Sequence, residues 1–154
     1  MASKSFKYRL QKVLEFKEKQ EEEEGKKLAQ LKQQEEHERQ VKAQLEQKLV
    51  EVQAILRQKQ AAGTILVEEL RFYPGHIKNV ENQIKNQELR LQELAIRIRE
   101  QRNALKKAAQ ERQVYEKHKE KCQEEWQAEV DRAEAIMLDE LATINFARNQ
   151  REDD

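Results

Sequence analysis

The sequence predicts an all-α protein in which two long helices form an antiparallel coiled-coil hairpin, with the second helix longer. Charged residues make up 39% of the 154 and hydrophobic residues 37%, and strong helix formers dominate. Helix breakers are scarce, since there are three glycines and one proline. Apolar residues recur at alternating spacings of three and four, which is the pattern of a coiled-coil seam. We therefore expect one coiled-coil domain over residues 1–154.

The charge of the chain is balanced, with 30 basic and 30 acidic residues. General binding to nucleic acid needs an excess of cations to displace counterions, so this class is disfavoured. The N-terminal residues lack the apolar stretch of a secretory signal, and no apolar run approaches the roughly 18 residues of a membrane span. One cysteine, Cys122, cannot form an internal disulfide. We expect a soluble intracellular protein.

The first helix is expected over about residues 5–58. Its seam starts at Phe6, Leu10 and Val13 and is interrupted by polar stretches at 17–27 and 32–40. Such a helix needs a second helix to pack against, because helix propensity and surface ion pairs alone make an isolated helix only marginally stable. After the interruptions the seam continues through Leu28, Leu31, Val41, Leu45, Val52 and Ile55.

The reversal of the chain is expected at about residues 60–64. This stretch has no large apolar residue, Gly63 suits a left-handed helix cap, and Thr64 suits the N-cap of the next helix. Pro74, in "RFYPGH", is the alternative turn, since proline disrupts a helix interior. The apolar spacing does not change phase at Pro74, however, which favours a bend within a continuous helix. A chain reversal at Pro74 remains the alternative interpretation.

The second helix is expected over about residues 65–148, bent near Pro74. A turn centred near residue 62 makes the numbers of facing residues add to about 125. A slip of two heptads also pairs apolar with apolar, so the seam alone leaves the register open. The seam reads Ile77, Val80, Ile84, Gln87, Leu91, Leu94, Ile98, Gln101, Leu105, Ala108, Arg112, Tyr115, Lys119, Cys122 and Trp126.

The last part of the second helix, "AEAIMLDELATINFAR", has no counterpart in the first helix. Its large apolar residues are Ile136, Met137, Leu138, Leu141, Ile144 and Phe146. An unpaired apolar helical end indicates a partner, self-association or disorder.

No group of residues in the sequence predicts catalysis, a cofactor or a metal. Carboxylates are plentiful, but perturbed acid–base groups need a pocket, and two helices offer little concavity. His118 and Cys122 are four residues apart and could share a helix face as metal ligands do. Cys122 falls on the apolar seam and has no second ligand pair, so a small core residue is the favoured interpretation.

The ends of the chain resemble the flagellar FliJ family. The segment "FKYRLQKVLEFKEKQEEEEGKKLAQL" is similar to the family's opening, and "LDELATINFARN" is similar to its closing segment. The resemblance implies an antiparallel two-helix coiled coil like the stalk of rotary ATPases. It also implies a soluble component of the flagellar type III export apparatus that is not an enzyme and has no cofactor.

The resemblance also implies partners and a location. They are a hexameric export ATPase, the cytoplasmic domain of the membrane export gate, and export chaperones. The protein would be cytoplasmic and peripherally associated with the inner face of the cell membrane. The alternatives are the equivalent stalk of a virulence type III secretion system, and a generic structural coiled-coil dimer or scaffold.

Two sets of partner-binding residues follow by position from the resemblance, with Phe72 added as an aromatic residue just off the seam. Lys48 and His76 stand where the family tends to be aromatic, and Pro74 departs from its pattern. The set expected to meet the export gate is Val41, Leu45, Lys48, Val52, Phe72, His76, Val80, Gln83 and Gln87. The set expected to meet the export ATPase is Phe6, Leu10, Val13, Ile136, Leu141 and Phe146.

Overall fold

A computed structural model describes residues 5–153, and these residues form two α-helices and no β-strand. Helix α1 runs from Gln11–Ala62 and has 52 residues, and helix α2 runs from Val67–Asp153 and has 87. The two helices pack against each other as a hairpin, and the predicted fold class is confirmed.

Both helices differ at their ends from the ranges expected. Helix α1 begins at Gln11, because the segment before it is not helical. A turn joins the two, in which the Gln11 N–H donates to the Tyr8 carbonyl at 3.2 Å. At the other end, α1 continues to Ala62, four residues beyond the expected end. Helix α2 begins at Val67, two residues later than expected, and continues past residue 148 to Asp153.

The reversal after α1 is a Schellman turn centred on Gly63. Gly63 has a φ of 65°, in the left-handed region that glycine enters without a steric penalty. Its N–H donates to the Gln60 carbonyl at 3.3 Å, and the Thr64 N–H donates to the Lys59 carbonyl at 3.3 Å. These two hydrogen bonds define the motif, and they satisfy carbonyls that the end of α1 leaves free.

The start of α2 is capped by a carboxylate and not by the hydroxyl of Thr64. The Leu66 N–H donates to Glu69 Oε2 at 3.4 Å, which is the carboxylate half of a capping box. Lys59 Nζ lies 2.9 Å from Glu69 Oε1, and this hydrogen bond lowers the pKa of the Glu69 carboxyl and raises that of Lys59. Glu69 therefore holds the two helix ends together across the turn.

We expect Gly63→Ala to lower the free energy of unfolding by about 1 kcal/mol. A Cβ at Gly63 would meet no heavy atom within 4 Å, so the cost comes from the backbone conformation alone. Gly25→Ala is the matched control. Gly25 lies inside α1 with equally open surroundings, and alanine there should stabilise by about 0.5–1 kcal/mol.

The measurement is urea unfolding followed by far-UV circular dichroism. Opposite signs for the two glycine variants are expected. An unchanged stability for Gly63→Ala would contradict the left-handed conformation at this residue.

Pro74 lies inside α2 and is its eighth residue. Proline has no N–H, so the Leu70 carbonyl lacks its usual partner four residues further on. The helix nevertheless continues on both sides of Pro74, and the chain does not reverse there. The bend expected at this position stays a prediction.

The chain packs as two compact units, and the first comprises residues 22–107. Its buried apolar residues are Val80, Leu94 and Ile98, and the buried polar residue Gln87 lies one heptad from Val80 and from Leu94. The Gln87 side-chain amide donates to the Glu38 carbonyl at 2.9 Å and also contacts the Glu38 carboxylate. A polar residue at a seam position is tolerated where its hydrogen bonds are satisfied across the interface.

The Gln101 side chain repeats this arrangement within the same unit. Its amide donates to the Glu24 carbonyl at 3.0 Å and also contacts the Glu24 carboxylate. At the flank of the interface, Lys42 Nζ lies 3.6 Å from Glu88 Oε1. The two glutamines therefore form polar layers between apolar ones, and each layer ties α2 to one particular residue of α1.

The second unit joins the segment that ends at Glu21 to the segment that begins at Ala108. Tyr8, Leu14 and Ala108 are its buried apolar residues. Arg112 occupies a seam position and pairs with Glu21 across the interface and with Glu116 on its own helix, and these hydrogen bonds raise the pKa of its guanidinium. Lys17 Nζ lies 3.2 Å from Glu111 Oε2.

Candidate partner-binding surfaces

The segment before α1 is anchored to α2 by two aromatic residues. The rings of Phe6 and Trp126 are 6.0 Å apart, and Tyr8 Oη lies 2.6 Å from His118 Nδ1 and 3.4 Å from the Tyr115 carbonyl oxygen. Tyr8 is only 8% exposed, and this burial raises the pKa of its phenol. Phe6 and Tyr8 thus act as a clamp, which we call the N-terminal clamp.

Sequence reasoning missed Tyr8, although a signal for it exists. Phe6 and Tyr8 alternate with lysine and arginine in "FKYR", and a spacing of two is typical of extended chain, not of a helix. Reading that spacing would have ended the helical seam at Leu10 and placed both aromatic side chains on one side of an extended segment.

The residues expected to meet the ATPase divide into two environments. Phe6, Leu10 and Val13 are half-buried, whereas Ile136, Leu141 and Phe146 are 50–65% exposed. All six belong to the unit that contains both chain ends. The first three are therefore partly packed within this unit, and the last three are largely exposed to solvent.

Residues 131–153 form what we call the C-terminal extension. Every residue in it is exposed, although it is helical throughout and contains six large apolar side chains. A helix in water normally buries such side chains, so this surface is typical of an interaction site. The six are Ile136, Met137, Leu138, Leu141, Ile144 and Phe146.

The residues expected to meet the gate lie at three depths. Val80 and Gln87 are buried between the helices, with 1% and 4% exposure, and so they hold the interface together. Four others are half-buried, and three are exposed. The half-buried residues are Val41, Leu45, Val52 and His76, and the exposed ones are Lys48, Phe72 and Gln83.

An aromatic patch on α2 surrounds the exposed member Phe72. Its ring stacks on His76 at 5.4 Å with 12° between the planes, and it meets Tyr73 edge-on at 5.5 Å. On the neighbouring side, Lys59 Nζ lies 5.3 Å from the centre of the Tyr73 ring, within cation–π range. Phe72 is 61% exposed, so its ring presents an apolar face to solvent. The contacts with His76 and Tyr73 orient this ring.

Within residues 5–153, no group of three or more His, Cys, Asp or Glu side chains could hold a metal ion. His118 and Cys122 do lie together, with Nε2 and Sγ 3.7 Å apart, but His118 Nδ1 is already engaged by the Tyr8 hydroxyl. Across the same range, no helix is long and apolar enough to cross a membrane.

The described residues define a helical-hairpin protein of the coiled-coil class, with a polar-layered interface and separate exposed apolar surfaces. A family model described as "Flagellar FliJ protein" matches residues 6–151, nearly the whole chain. The chain therefore belongs to the FliJ family, whose members are components of the flagellar protein export apparatus. Comparison with curated proteins and with solved structures found no match.

Proposed function

We propose that this chain is a stalk-like coiled coil that couples the flagellar export ATPase to the export gate and assists in handling chaperones and their substrates. It acts in the cytoplasm, peripherally associated with the inner face of the cell membrane, and it is not an enzyme. Family membership supports the flagellar setting over the virulence-system alternative.

The observation that carries this proposal is the presence of an exposed apolar surface in each of the two compact units. One unit carries the aromatic patch around Phe72, and the other carries the C-terminal extension. Two surfaces of this kind suit a protein that binds two different partners, because each can be occupied without disturbing the buried seam. The patch is proposed to meet the gate, and the extension to meet the ATPase.

The proposal is tested by capture of the cognate export ATPase and of the gate's cytoplasmic domain on the immobilised full-length chain. We expect both to be retained at micromolar concentration. Phe72→Ala should weaken capture of the gate domain by about tenfold or more and leave the ATPase unaffected, since truncating an anchoring aromatic residue costs about 1–2 kcal/mol or more. Leu141→Gln should have the converse effect.

Ile96→Ala is the matched control, because Ile96 is 56% exposed and belongs to neither surface. Retention of neither partner by the parent chain would contradict the proposal. A generic scaffold would instead be a stable dimer, which sedimentation velocity separates from an 18.4 kDa monomer.

A further inference from the structure

The apolar seam of α2 continues beyond Trp126, the residue that Phe6 contacts. Among the described residues, the Phe6–Trp126 pair is the aromatic contact of this unit that lies nearest to the C-terminal extension. At 100° per residue, the next apolar side chains fall within an arc of about 80° that includes Trp126. They are Val130, Ala133, Met137, Leu141 and Ile144, of which the last three are 50–61% exposed.

The flanks of this exposed seam are acidic. Between residues 129 and 153 the chain carries seven carboxylates and three cations, which are Arg132, Arg148 and Arg151. Glu134 and Glu140 lie on opposite sides of the seam, each about 60° from its centre. In a coiled coil these flanking positions meet the flanks of the partner helix, so they select the partner's charge.

Continuity of the seam and the charge of its flanks together favour one kind of occupant for this surface. A second copy of the chain would place carboxylates against carboxylates, and an anionic lipid surface would repel them. We propose that the exposed seam binds one amphipathic α-helix of a partner protein, with apolar residues at heptad spacing and lysine or arginine on its flanks. This helix continues the coiled coil beyond Phe6. The identity of the protein that supplies this helix rests on the proposed function. The chemistry of the helix rests on the residues named above.

The test uses the full-length chain and two synthetic three-heptad peptides with leucine at both seam positions. One peptide carries lysine at the flanking positions and the other glutamate, and binding is followed by fluorescence anisotropy. The lysine peptide should bind at least about tenfold more tightly than the glutamate peptide, because flanking charges set partner choice. Glu134→Lys combined with Glu140→Lys should reverse this preference.

The seam variant combines Met137→Gln, Leu141→Gln and Ile144→Gln, and it should lose binding of the lysine peptide. Its matched control combines Ala135→Gln, Leu138→Gln and Ala142→Gln on the other side of the same helix. The control should bind within about twofold of the parent, since these residues lie off the seam. Circular dichroism checks that both variants keep their helix content.

Three outcomes would overturn the inference: equal affinity for the two peptides, full binding by the seam variant, or a stable dimer of the parent that the seam variant dissociates. Failure to capture the ATPase, with the lysine preference intact, would refute the proposed function and leave this inference standing. Capture of the ATPase without any preference between the peptides would refute this inference and leave the proposed function standing.

Discussion

Leu94→Ala is expected to lower the free energy of unfolding by about 2–5 kcal/mol, the range measured when a fully buried leucine is truncated. Leu94 is 4% exposed and lies in the seam of the unit formed by residues 22–107. The loss combines the transfer of the removed atoms with the cavity they leave. The two packed helices have few other buried side chains to compensate for this loss, so the unfolding transition should also become less cooperative.

Leu89→Ala is the matched control for this experiment. The chemical change is identical, but Leu89 is 57% exposed on the same helix, so its effect should stay within about 0.5 kcal/mol. Urea unfolding of both variants, monitored by circular dichroism, provides the comparison. Equal losses at the two positions would mean that the seam does not run through Leu94.

Gln87→Glu is expected to destabilise the hairpin by about 2–3 kcal/mol at neutral pH, the scale of a lost hydrogen bond to a charged group. The Gln87 amide now donates to both the carbonyl and the carboxylate of Glu38. The substitution removes these donors and places a second anion at a site that is only 4% exposed.

The penalty of Gln87→Glu should depend on pH with a defined sign. Burial and the neighbouring carboxylate raise the pKa of the introduced carboxyl in the folded state above its value in the unfolded chain. The penalty is therefore present above that raised pKa and is relieved as the pH falls through it. Gln92→Glu, at an exposed position of α2, controls for the added charge. A pH-independent penalty equal to that of the control would contradict the buried layer.

The hairpin and its pairing follow from local sequence patterns to a large extent. The expected pairing, with facing residue numbers adding to about 125, matches the contacts of Gln87 with Glu38 and of Gln101 with Glu24. Glu24 and Glu38 are separated by two heptads, as are Gln87 and Gln101, so a two-heptad slip would keep one polar layer and lose the other. The heptad pattern alone left this choice open because apolar positions repeat with the same period.

Details that depend on side-chain competition could not be predicted from the sequence. Thr64 was the expected N-cap, but α2 begins at Val67, so Leu66 takes that position and its N–H donates to Glu69. Val80 and Gln87 were placed both on the predicted seam and in the set expected to meet the gate, and both are buried in the structure. Position along the chain indicates a region of the hairpin, whereas burial depends on which side of the helix a residue occupies.

The length of the connection at Gly63 also governs how the hairpin assembles. The Lys59–Glu69 pair closes a loop of 10 residues, the two polar layers join residues 49 and 77 apart, and Tyr8 joins a residue 110 away. Closing a loop costs more entropy as it lengthens, by about 0.6 kcal/mol for each doubling. We therefore expect folding to proceed outward from the Schellman turn, because each layer formed shortens the loop that the next must close. We expect the N-terminal clamp to close last and to open first, so that local opening there would uncover more of the α2 seam next to the C-terminal extension without melting the polar layers.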